Sequence, residues 1–442
     1  MLSIDEALER ILSYVDVLEP EERPILEALG QVLAEDVQSP FDIPPLDNSA
    51  MDGYAVRAAD TAGASPERPV ELKVIGEVAA GYVYPGEVTP GTAVRIMTGA
   101  PIPRGADAVV PFEETDEPFQ ETPTGARRLR TRTVRIFKEA STGANIRPAG
   151  EDIARGQTVL RAGIVLRPSE IGVLASLGRA TVRVVRRPVV AILSTGDELA
   201  PVDRPKAAHQ IYDANGYSLG ALVLRYGGVP RLLGIAKDRV SALRAKLRRA
   251  MEADLVITSA GVSRGYYDVV KEVLAQEGEI DFWTVAMKPG KPLAFGCFYQ
   301  GERRVPHIGL PGNPVSAVVT FELFGRPALL KMMGKRDFRR PRLTAIARDR
   351  IHNNSPDRAF LARCRVTMED GRYHAYLTGP QGSGILTSLV YANALTYIPP
   401  GRQVVEPGEE IEVIMLDWSH GEEWGTEPAF LAQGHAEDGS AG

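Results

Sequence analysis

Between about residues 186 and 335, short apolar runs alternate with stretches of helical periodicity, and this alternation limits the possible folds more than any other feature of the chain. Such alternation predicts parallel strands joined by crossover helices. The predicted strands are Val189–Leu193, Asp254–Thr258, Phe282–Val285, Leu293–Phe298 and His307–Leu310, and helices are expected from about Asn215, Val240, Tyr267 and Val315. We therefore predict a doubly wound α/β domain in this part of the chain.

The segments on either side of this domain have different patterns. Ser3 and Glu6 have the spacing of a capping box, followed by apolar residues at helical intervals, which predicts an N-terminal amphipathic helix. Short β-type runs between residues 46 and 150 predict a β-rich domain. After Pro341 the runs become strand-like again, and the Asp370-Gly371 pair predicts a hairpin within a small C-terminal barrel. The last residues are expected to form a mobile tail.

The composition limits the partners and the compartment. The 442 residues carry a net charge of -6, which argues against nucleic acid, and the arginine cluster at 127–135 is interpreted as the solvated face of a strand. The two cysteines, Cys297 and Cys364, can form neither a disulfide framework nor a Cys-rich metal site. Because the sequence contains neither a signal-peptide pattern nor an apolar run of about 18 residues, we expect a cytoplasmic protein that is not bound to a membrane.

Three polar loops directly follow predicted strands of the α/β domain, at Ser194 to Leu199, Ser259 to Gly265 and Pro311 to Pro314. Ligands of open parallel sheets bind beyond the carboxyl ends of the strands, so these loops are candidate binding segments. Ser, Thr, Asp and Asn are also the commonest helix N-caps, and for one loop alone that interpretation would be favoured. Three such loops favour a site at which backbone amides approach an anion.

Lysines and carboxylates supply the candidate chemistry. Lys288 and Lys291 lie on a stiff turn, where they suit phosphate or another oxyanion, although solvated loop lysines are an equally good interpretation. If several of the acids converge, their repulsion calls for a divalent cation, and oxygen ligands favour magnesium; singly, each is more often a cap or a surface charge. The acids are Asp52, Glu151, Asp152, Asp197, Glu198, Asp238 and Asp268.

Common catalytic motifs are missing from the sequence. There is no Walker A or GxGxxG pattern, which argues against an ordinary kinase or Rossmann dehydrogenase, and no HExxH pattern occurs. What remains is a set of polar loops, lysines and acids. Such a set suits metal-assisted cleavage of a phosphoanhydride bond with the anions held in position.

Several long motifs then point to one family. They are Asp47 to Ala55, Arg95 to Ala100, Gly105 to Val110, Asn145 to Asp152, Ser194 to Leu199, Lys288 to Pro292 and Leu310 to Ser316. In these motifs, and in their order, the chain strongly resembles the molybdopterin molybdenumtransferases, the MoeA and gephyrin E-domain family, from near the N-terminus to about residue 415. Chance agreement of so many motifs is negligible.

The resemblance implies four domains in an elongated homodimer. We expect a linking and dimerisation domain at 1–45 and 151–185, a β-rich domain at 46–150, an α/β molybdopterin-binding domain at 186–335, a C-terminal β-barrel domain at 336–418 and a flexible tail at 419–442. The site would form between the α/β domain of one subunit and the β-rich domain of the other. The implied reaction is the magnesium-dependent insertion of molybdate into adenylylated molybdopterin with release of AMP. Molybdopterin adenylyltransferase would act upstream, and molybdoenzyme delivery proteins would be further partners.

The resemblance also assigns roles to individual residues. Asp52, Thr98, Asp152 and Asp268 are the expected catalytic residues, and Glu198, Asp238 and Asp268 the expected magnesium ligands. The two lysines would hold phosphate or molybdate. The expected substrate-binding residues are Ser194, Thr195, Gly196, Gly261, Ser263, Lys288, Lys291, Pro311, Asn313 and Ser383.

Two departures from the family pattern leave alternatives open. Ala260 stands where Gly is usual in the glycine-rich loop, and Tyr266 where an acidic or small residue is frequent. A tungstate-specific paralogue is therefore one alternative. A noncatalytic gephyrin-like scaffold is another, but retention of Asp52, Asp268 and both lysines argues against it, because scaffolding does not require them.

Overall fold

The computed structural model describes residues 1–117, 132–237, 240–259, 278–301 and 303–417. Its contacts divide the chain into two compact units. The β-rich unit comprises Glu35–Ile164 and Ser169–Ala180, and the α/β-barrel unit comprises Met1–Ala34, Val165–Pro168 and Thr181–Gly442. The boundaries that the sequence suggested for four domains and a tail remain predictions.

The chain opens with helix α1 (Ile4–Ser13), as predicted. Its capping box is complete: the Glu6 backbone N–H donates to Ser3 Oγ at 3.1 Å, and the Ser3 backbone N–H donates to the Glu6 carboxylate at 2.8 Å. Helix α1 belongs to the α/β-barrel unit, together with the antiparallel pair Pro20–Pro24 and Thr181–Val185. Within the described residues, no helix is both long enough and apolar enough to cross a membrane.

A five-stranded sheet forms the centre of the β-rich unit. Its strands are β1 (Gly53–Val56), β2 (Val70–Val78), β3 (Thr92–Ile96), β4 (Ala108–Pro111) and β5 (Thr133–Ile136), in the order β4-β1-β3-β2-β5. Strand β1 is buried along its whole length and pairs antiparallel with both β3 and β4. The unit also contains the pairs Val37–Gln38 with Thr158–Leu160 and Asn48–Ser49 with Ile146–Arg147, the 3-10 turns Ala58–Thr61 and Phe112–Glu114, and all of helix α2 (Pro168–Ser176) but its first residue.

A six-stranded sheet with helices on both faces confirms the doubly wound α/β prediction. Its strands are β6 (Val189–Thr195), β7 (Val229–Ala236), β8 (Leu255–Ser259), β9 (Gly278–Thr284), β10 (Pro292–Gln300) and β11 (Arg303–Leu310), in the order β7-β6-β8-β11-β10-β9. The helices are α3 (Ala214–Arg225), α4 (Val240–Ala250), α5 (Pro314–Thr320) and α6 (Arg326–Met332), with a π-helical turn at Phe321–Gly325. Short parallel pairs join Leu199–Ala200 to Ile211–Tyr212 and Met287–Lys288 to Ala359–Phe360.

The alternation of side chains along β6 explains why both faces of this sheet are covered. Val190 and Ile192 belong to the core that includes α3 and α5, whereas Ala191 and Leu193 belong to the core that includes α4. Residues of a strand point to opposite faces in turn, so a strand buried on both faces must be apolar throughout. The continuous apolar runs in the sequence follow from this arrangement.

Two features of the sheet differ from the sequence prediction. Strand β7 was missed, because it lies at the sheet edge, where Pro230 and Arg231 are tolerated and the apolar signal is weak. The sheet is also not wholly parallel: β10 pairs antiparallel with β9 and β11. Only Gly301 and Glu302 separate β10 from β11, and a connection this short can form a hairpin but not a crossover.

The C-terminal part is a closed barrel, as predicted. Its strands are β12 (Arg342–Ala347), β13 (Arg363–Glu369), β14 (Arg372–Leu377), β15 (Ala394–Tyr397) and β16 (Glu410–Met415), and β16 pairs with β12 to close it. Asp370 and Gly371 both have positive φ, at 48° and 76°, which is the backbone that a two-residue hairpin turn needs. The barrel also carries helix α7 (Thr387–Val390), the strand pair Ile351–His352 with Val404–Val405, and Ala359–Phe360.

Candidate functional site

In the β-rich unit, the structure brings together two residues that the sequence predicted to be catalytic. Asp52 immediately precedes β1 and Thr98 follows β3, and the antiparallel register of the two strands places these positions side by side. Asp52 Oδ1 accepts hydrogen bonds from the Thr98 backbone N–H at 2.7 Å and from Thr98 Oγ1 at 2.8 Å. Thr98 is exposed, so this oriented carboxylate lies at the surface of the unit.

The neighbourhood of the Asp52–Thr98 pair is rigid. A Cβ atom at Gly53 would lie 2.1 Å from the carbonyl oxygen of Val110, so only glycine allows β1 and β4 to approach this closely. Behind the pair, the buried Arg95 guanidinium forms ion pairs with Glu77 at 2.7 Å and Glu117 at 3.0 Å. The close packing of β1 on β4 and the ion pairs of Arg95 hold the backbone beside the pair, and the two bonds from Thr98 orient the Asp52 carboxylate.

Asp152, the third residue predicted to be catalytic in this unit, is placed separately. Its backbone N–H donates to Ile43 O at 3.0 Å, and its side chain is exposed. The backbone of Asp152 is therefore held in place, but the structure shows no contact of its carboxylate that would indicate a role.

In the α/β-barrel unit, the loop after β6 has a tight local structure. Gly196 has φ of 142°, and an added Cβ would lie 2.4 Å from Glu198 Oε2, so glycine lets the predicted metal ligand fold back against the backbone. Ser194 and Thr195 are buried at the end of β6. Ser194 Oγ donates to Asp213 Oδ1 at 2.8 Å, and Thr195 Oγ1 donates to Ser259 O at 3.5 Å.

The loop after β11 leads directly into a helix. Pro311 is buried, Asn313 is exposed and precedes α5, and Pro314 occupies the first turn of that helix. Asn313 O accepts the first helical hydrogen bond, from Ala317 N at 2.9 Å. Proline suits the first helical turn because the missing N–H would have no partner within the helix. The backbone amide of Val315 donates to Ser383 O at 3.1 Å, which links this helix start to the barrel.

The two predicted lysines and Ser383 line one cavity of about 540 Å³, between the α/β part and the barrel of the same unit. Lys288 is half-buried and Lys291 exposed. None of the described residues that line the cavity is acidic. Its polar lining side chains are those of Lys288, Lys291, Ser316, His352, Asn354, Gln381 and Ser383. Two ammonium groups beside hydroxyls and amides, without a competing carboxylate, suit an oxyanion.

The backbone around Lys288 is held by the barrel. Leu361 N donates to Lys288 O at 2.8 Å, as part of the parallel pairing of Met287–Lys288 with Ala359–Phe360. Gly290 has φ of 103°, and a Cβ there would lie 2.5 Å from Thr320 Oγ1. The turn between the lysines therefore packs so closely on the helical layer that it requires glycine at this position.

A buried arginine supports the part of the cavity wall formed by residues 381–383. Arg363 is completely buried, and burial lowers the pKa of its guanidinium to about 10. Its guanidinium donates to the carbonyl oxygens of Pro380, Gln381 and Gly382 at 3.1 to 3.3 Å and to Ser388 Oγ at 3.0 Å. These bonds hold the loop that carries Gln381, Gly382 and Ser383 into the cavity.

Sequence reasoning did not single out Arg363 or Asp213. The available signal for Arg363 was that two arginines, Arg363 and Arg365, interrupt the otherwise apolar run Leu361 to Val366, since an arginine that faces a core must find several acceptors there. For Asp213 the signal was an acidic residue just before the helix predicted from about Asn215, which is typical of an N-cap.

Four predicted site residues, Asp238, Gly261, Ser263 and Asp268, lie outside the described residues, as do the departures Ala260 and Tyr266. Of the three predicted magnesium ligands, Glu198 alone is described. Within the described residues, no three His, Cys, Asp or Glu side chains form a group able to hold a metal ion. The carboxylate of Glu198 suits magnesium as an oxygen donor, but the described residues do not complete a coordination shell.

Comparison with known proteins identifies the family. Three family models match in succession: the MoeA N-terminal region (domains I and II) at residues 2–178, a probable molybdopterin binding domain at 191–331, and the MoeA C-terminal region (domain IV) at 344–416. The crystal structure of the molybdopterin biosynthesis MoeA protein from Pyrococcus horikoshii matches with a TM-score of 0.77 at 33% identity, covering 94% of this chain and 99% of that one.

Curated relatives agree over nearly their whole length. Molybdopterin molybdenumtransferase 2 of Mycobacterium tuberculosis (strain H37Rv) is 39% identical over 93% of this chain and 99% of its own. The molybdopterin molybdenumtransferase of Bacillus subtilis (strain 168) is 34% identical over 96% of both chains. The chain is thus a transferase with a role in molybdenum cofactor biosynthesis. It belongs to the MoeA family of molybdopterin molybdenumtransferases.

Proposed function

We propose that this chain inserts molybdate into adenylylated molybdopterin and releases AMP, the final step of molybdenum cofactor biosynthesis. The cavity that contains Lys288 and Lys291 carries the proposal. Molybdate is a dianion at neutral pH, and two ammonium groups match its charge. None of the described lining residues is acidic, so no carboxylate of the lining would repel the bound dianion.

The hydroxyl and amide groups of the cavity supply the remaining hydrogen bonds. Ser316 comes from α5 and Ser383 from the barrel loop held by Arg363, so two separate elements contribute hydroxyl groups to the cavity. A tetrahedral oxyanion presents oxygens in several directions, so ligands from two elements bind it better than ligands from one. The cavity also exceeds the volume of one such anion, since each oxygen occupies about the 30 Å³ of a water molecule. The remaining space would admit the part of the organic substrate that receives molybdenum.

Reconstitution tests this function directly. Purified protein, adenylylated molybdopterin, magnesium and molybdate should yield AMP and a cofactor that activates a cofactor-free molybdoenzyme. The double variant Lys288→Ala/Lys291→Ala should lose at least about 100-fold in turnover at low molybdate, because the charge that binds the dianion is gone. Lys73→Ala, which removes an exposed lysine on β2, is the matched control. Wild-type protein that releases no more AMP than a blank would refute the proposal.

Magnesium dependence is part of the same proposal. Glu198 would contribute a carboxylate oxygen to the ion, which would neutralise phosphate charge as the anhydride bond breaks. Chelation with EDTA should abolish AMP release, and excess magnesium should restore it. Release that continues after exhaustive chelation would remove magnesium from the scheme.

We further propose that the active form is a homodimer, with Asp52 of one subunit and Lys288 of the other serving one site. Mixing the inactive variants Asp52→Asn and Lys288→Ala should then restore activity, since half of the dimers would be mixed and each would keep one intact site. Statistical exchange predicts about a quarter of wild-type turnover. Mixtures that stay as inactive as their components would place both residues of a site in one subunit.

The upstream partner would be a molybdopterin adenylyltransferase, because the substrate must arrive already activated. The reconstitution assay also separates the alternatives. A scaffold would show no turnover, and a tungstate-specific paralogue would process tungstate in place of molybdate. Running the assay with both oxyanions decides between them.

A further inference from the structure

The residue before helix α3 has contacts that exceed those of an ordinary helix cap. Asp213 Oδ1 accepts from the Gly216 backbone N–H at 2.9 Å, which caps the helix. The same oxygen accepts from Ser194 Oγ at 2.8 Å. Asp213 is 5% exposed, whereas most N-caps face solvent and serve only their own helix. The carboxylate therefore joins the start of α3 to the end of strand β6.

The contact continues to the neighbouring strand. Ser259 Oγ, at the end of β8, lies 3.3 Å from Ser194 Oγ. A carboxylate can only accept, so the Ser194 hydroxyl donates to Asp213 and its oxygen is left to accept from Ser259. One buried carboxylate thus sets the direction of a hydrogen-bond chain across the carboxyl ends of β6 and β8.

There is no spare room at this junction. A Cβ atom at Gly216 would lie 2.6 Å from Asp213 Oδ2 and 3.2 Å from Ser194 Oγ. Close packing of this kind restricts the Asp213 and Ser194 side chains to their hydrogen-bonded positions.

The same helical turn also contacts the third loop. Asn215 Nδ2 donates to Gly312 O at 2.8 Å, in the segment between β11 and α5. Asp213 and Asn215 therefore contact the chain at the ends of β6 and β11, and Asp213 is linked to the end of β8 through Ser194. These are three adjacent strands of the sheet, and ligands of open α/β sheets bind at their carboxyl ends.

We propose that Asp213 and Asn215 are positioning residues, which hold the carboxyl-terminal ends of β6, β8 and β11 in the arrangement that binds substrate. The expected effect of these residues on turnover rests on the proposed function. Neither residue is assigned contact with reacting atoms. Small displacements of substrate-binding loops lower the rate of the chemical step strongly, so the effect should appear in kcat more than in KM.

Substitutions at Asp213 separate positioning from helix capping. Serine caps helices as well as aspartate but is too short to reach both Gly216 N and Ser194 Oγ, whereas asparagine keeps the length and an accepting oxygen. We expect Asp213→Ser to lower kcat about tenfold or more with KM changed less than about threefold, and Asp213→Asn to stay within about threefold of wild type. Ser3→Ala, which removes the side-chain cap of α1, is the matched control and should keep wild-type kcat.

Hydrogen exchange provides a readout that does not depend on turnover. Backbone amides at 194–199 and 312–315 should exchange about tenfold faster in Asp213→Ser than in wild type, and those at 312–315 should do so in Asn215→Ala. Ser3→Ala should leave both segments unchanged. Unchanged exchange in Asp213→Ser would overturn the inference, as would an Asp213→Asn variant as slow as Asp213→Ser. If wild-type protein released no AMP, the proposed function would fail while the exchange data still decided the positioning role.

Discussion

The Asp52–Thr98 pair and the lysine cavity are built in opposite ways. Asp52 and Thr98 lie at the ends of two strands paired in one sheet, and a single register brings them together. The lysine cavity draws its lining from segments around 288–292, 316, 351–360 and 377–383, which meet where the barrel packs against the α/β part. The first arrangement should survive any change that leaves one sheet intact. The second depends on contacts far along the chain, including a buried arginine that does not itself line the cavity.

The largest expected effect comes from a substitution in the sheet that carries Asp52 and Thr98, at the close contact between β1 and β4. Gly53→Ala would place a methyl group on the buried strand β1 against the Val110 carbonyl of the neighbouring strand β4. We expect a loss of about 4 kcal/mol in the free energy of unfolding of the β-rich unit, because backbone cannot move aside as a side chain can. Urea unfolding followed by proteolysis of that unit measures it.

Gly172→Ala is the control for this prediction. Gly172 lies within α2, in the same unit, and an added Cβ meets nothing within 4 Å. This substitution should be neutral or stabilising by up to about 1 kcal/mol. Equal stability of the two variants would mean that β1 and β4 have room to separate.

The next largest effect is expected from a substitution that disturbs the lysine cavity without changing a residue that lines it. Arg363→Met removes the donors to the carbonyls of 380–382 and to Ser388, so these three carbonyls and the buried Ser388 hydroxyl lose their guanidinium partner. We expect a loss of about 3 kcal/mol in stability. Oxyanion binding at the lysine cavity, measured by calorimetry with molybdate, should fall at least about tenfold because the 381–383 wall is no longer held.

The exposed arginine Arg342 on β12 provides the comparison. It pairs with Glu412 at 2.7 Å, with both side chains about two-fifths exposed, so Arg342→Met should cost under about 1 kcal/mol and leave molybdate binding unchanged. If Arg363→Met bound molybdate as tightly as Arg342→Met, the cavity would not depend on the buried arginine.

The stability of the two units should respond differently to acid. His307, on β11, is buried, which lowers the pKa of its imidazole from 6.5 to about 3, while the segment 35–180 contains no histidine. In the folded state this group stays neutral, and in the unfolded state it gains a proton below about pH 6.5. The contribution of neutral His307 to the free energy of unfolding is therefore fully present above about pH 6.5 and is lost progressively as the pH falls toward 3.

Between pH 7 and pH 5 the loss from His307 should be about 2 kcal/mol, confined to the α/β-barrel unit. Urea unfolding of His307→Gln at both pH values should show a pH dependence smaller by that amount. His209→Gln, which changes an exposed histidine, should keep the wild-type dependence. Identical pH dependence in His307→Gln and wild type would show that His307 does not make the unit acid-sensitive.

The smallest effect tests the Asp52–Thr98 pair itself. Thr98→Val removes the hydroxyl bond to Asp52 but keeps the backbone N–H bond, and Thr98→Ser keeps both. Since Thr98 is exposed, stability should change little. AMP release should fall about tenfold in the valine variant, or about 1.4 kcal/mol in transition-state free energy, and recover in the serine variant. Equal rates in all three proteins would leave the hydroxyl without a role.

Local sequence patterns predicted the elements that depend on neighbouring residues. The capping box of α1, the Asp370-Gly371 hairpin and most strands of the α/β sheet could be predicted in this way, because caps, turns and short apolar runs involve only a few neighbouring residues. Strand β7 escaped because edge strands need not be apolar, and the direction of β10 escaped because a buried run looks the same in either direction.

By itself the sequence determined the family, the doubly wound domain, the barrel and the residue types of the candidate site. The tertiary structure alone decided which of these residues meet: Asp52 with Thr98, Lys288 and Lys291 with Ser383, and Ser194 with Asp213. The reason is physical. Propensities and periodicities are local properties of the chain, whereas a hydrogen bond between residues far apart exists only after strands pair and layers pack, and the burial of Arg363 and Asp213 follows from that packing.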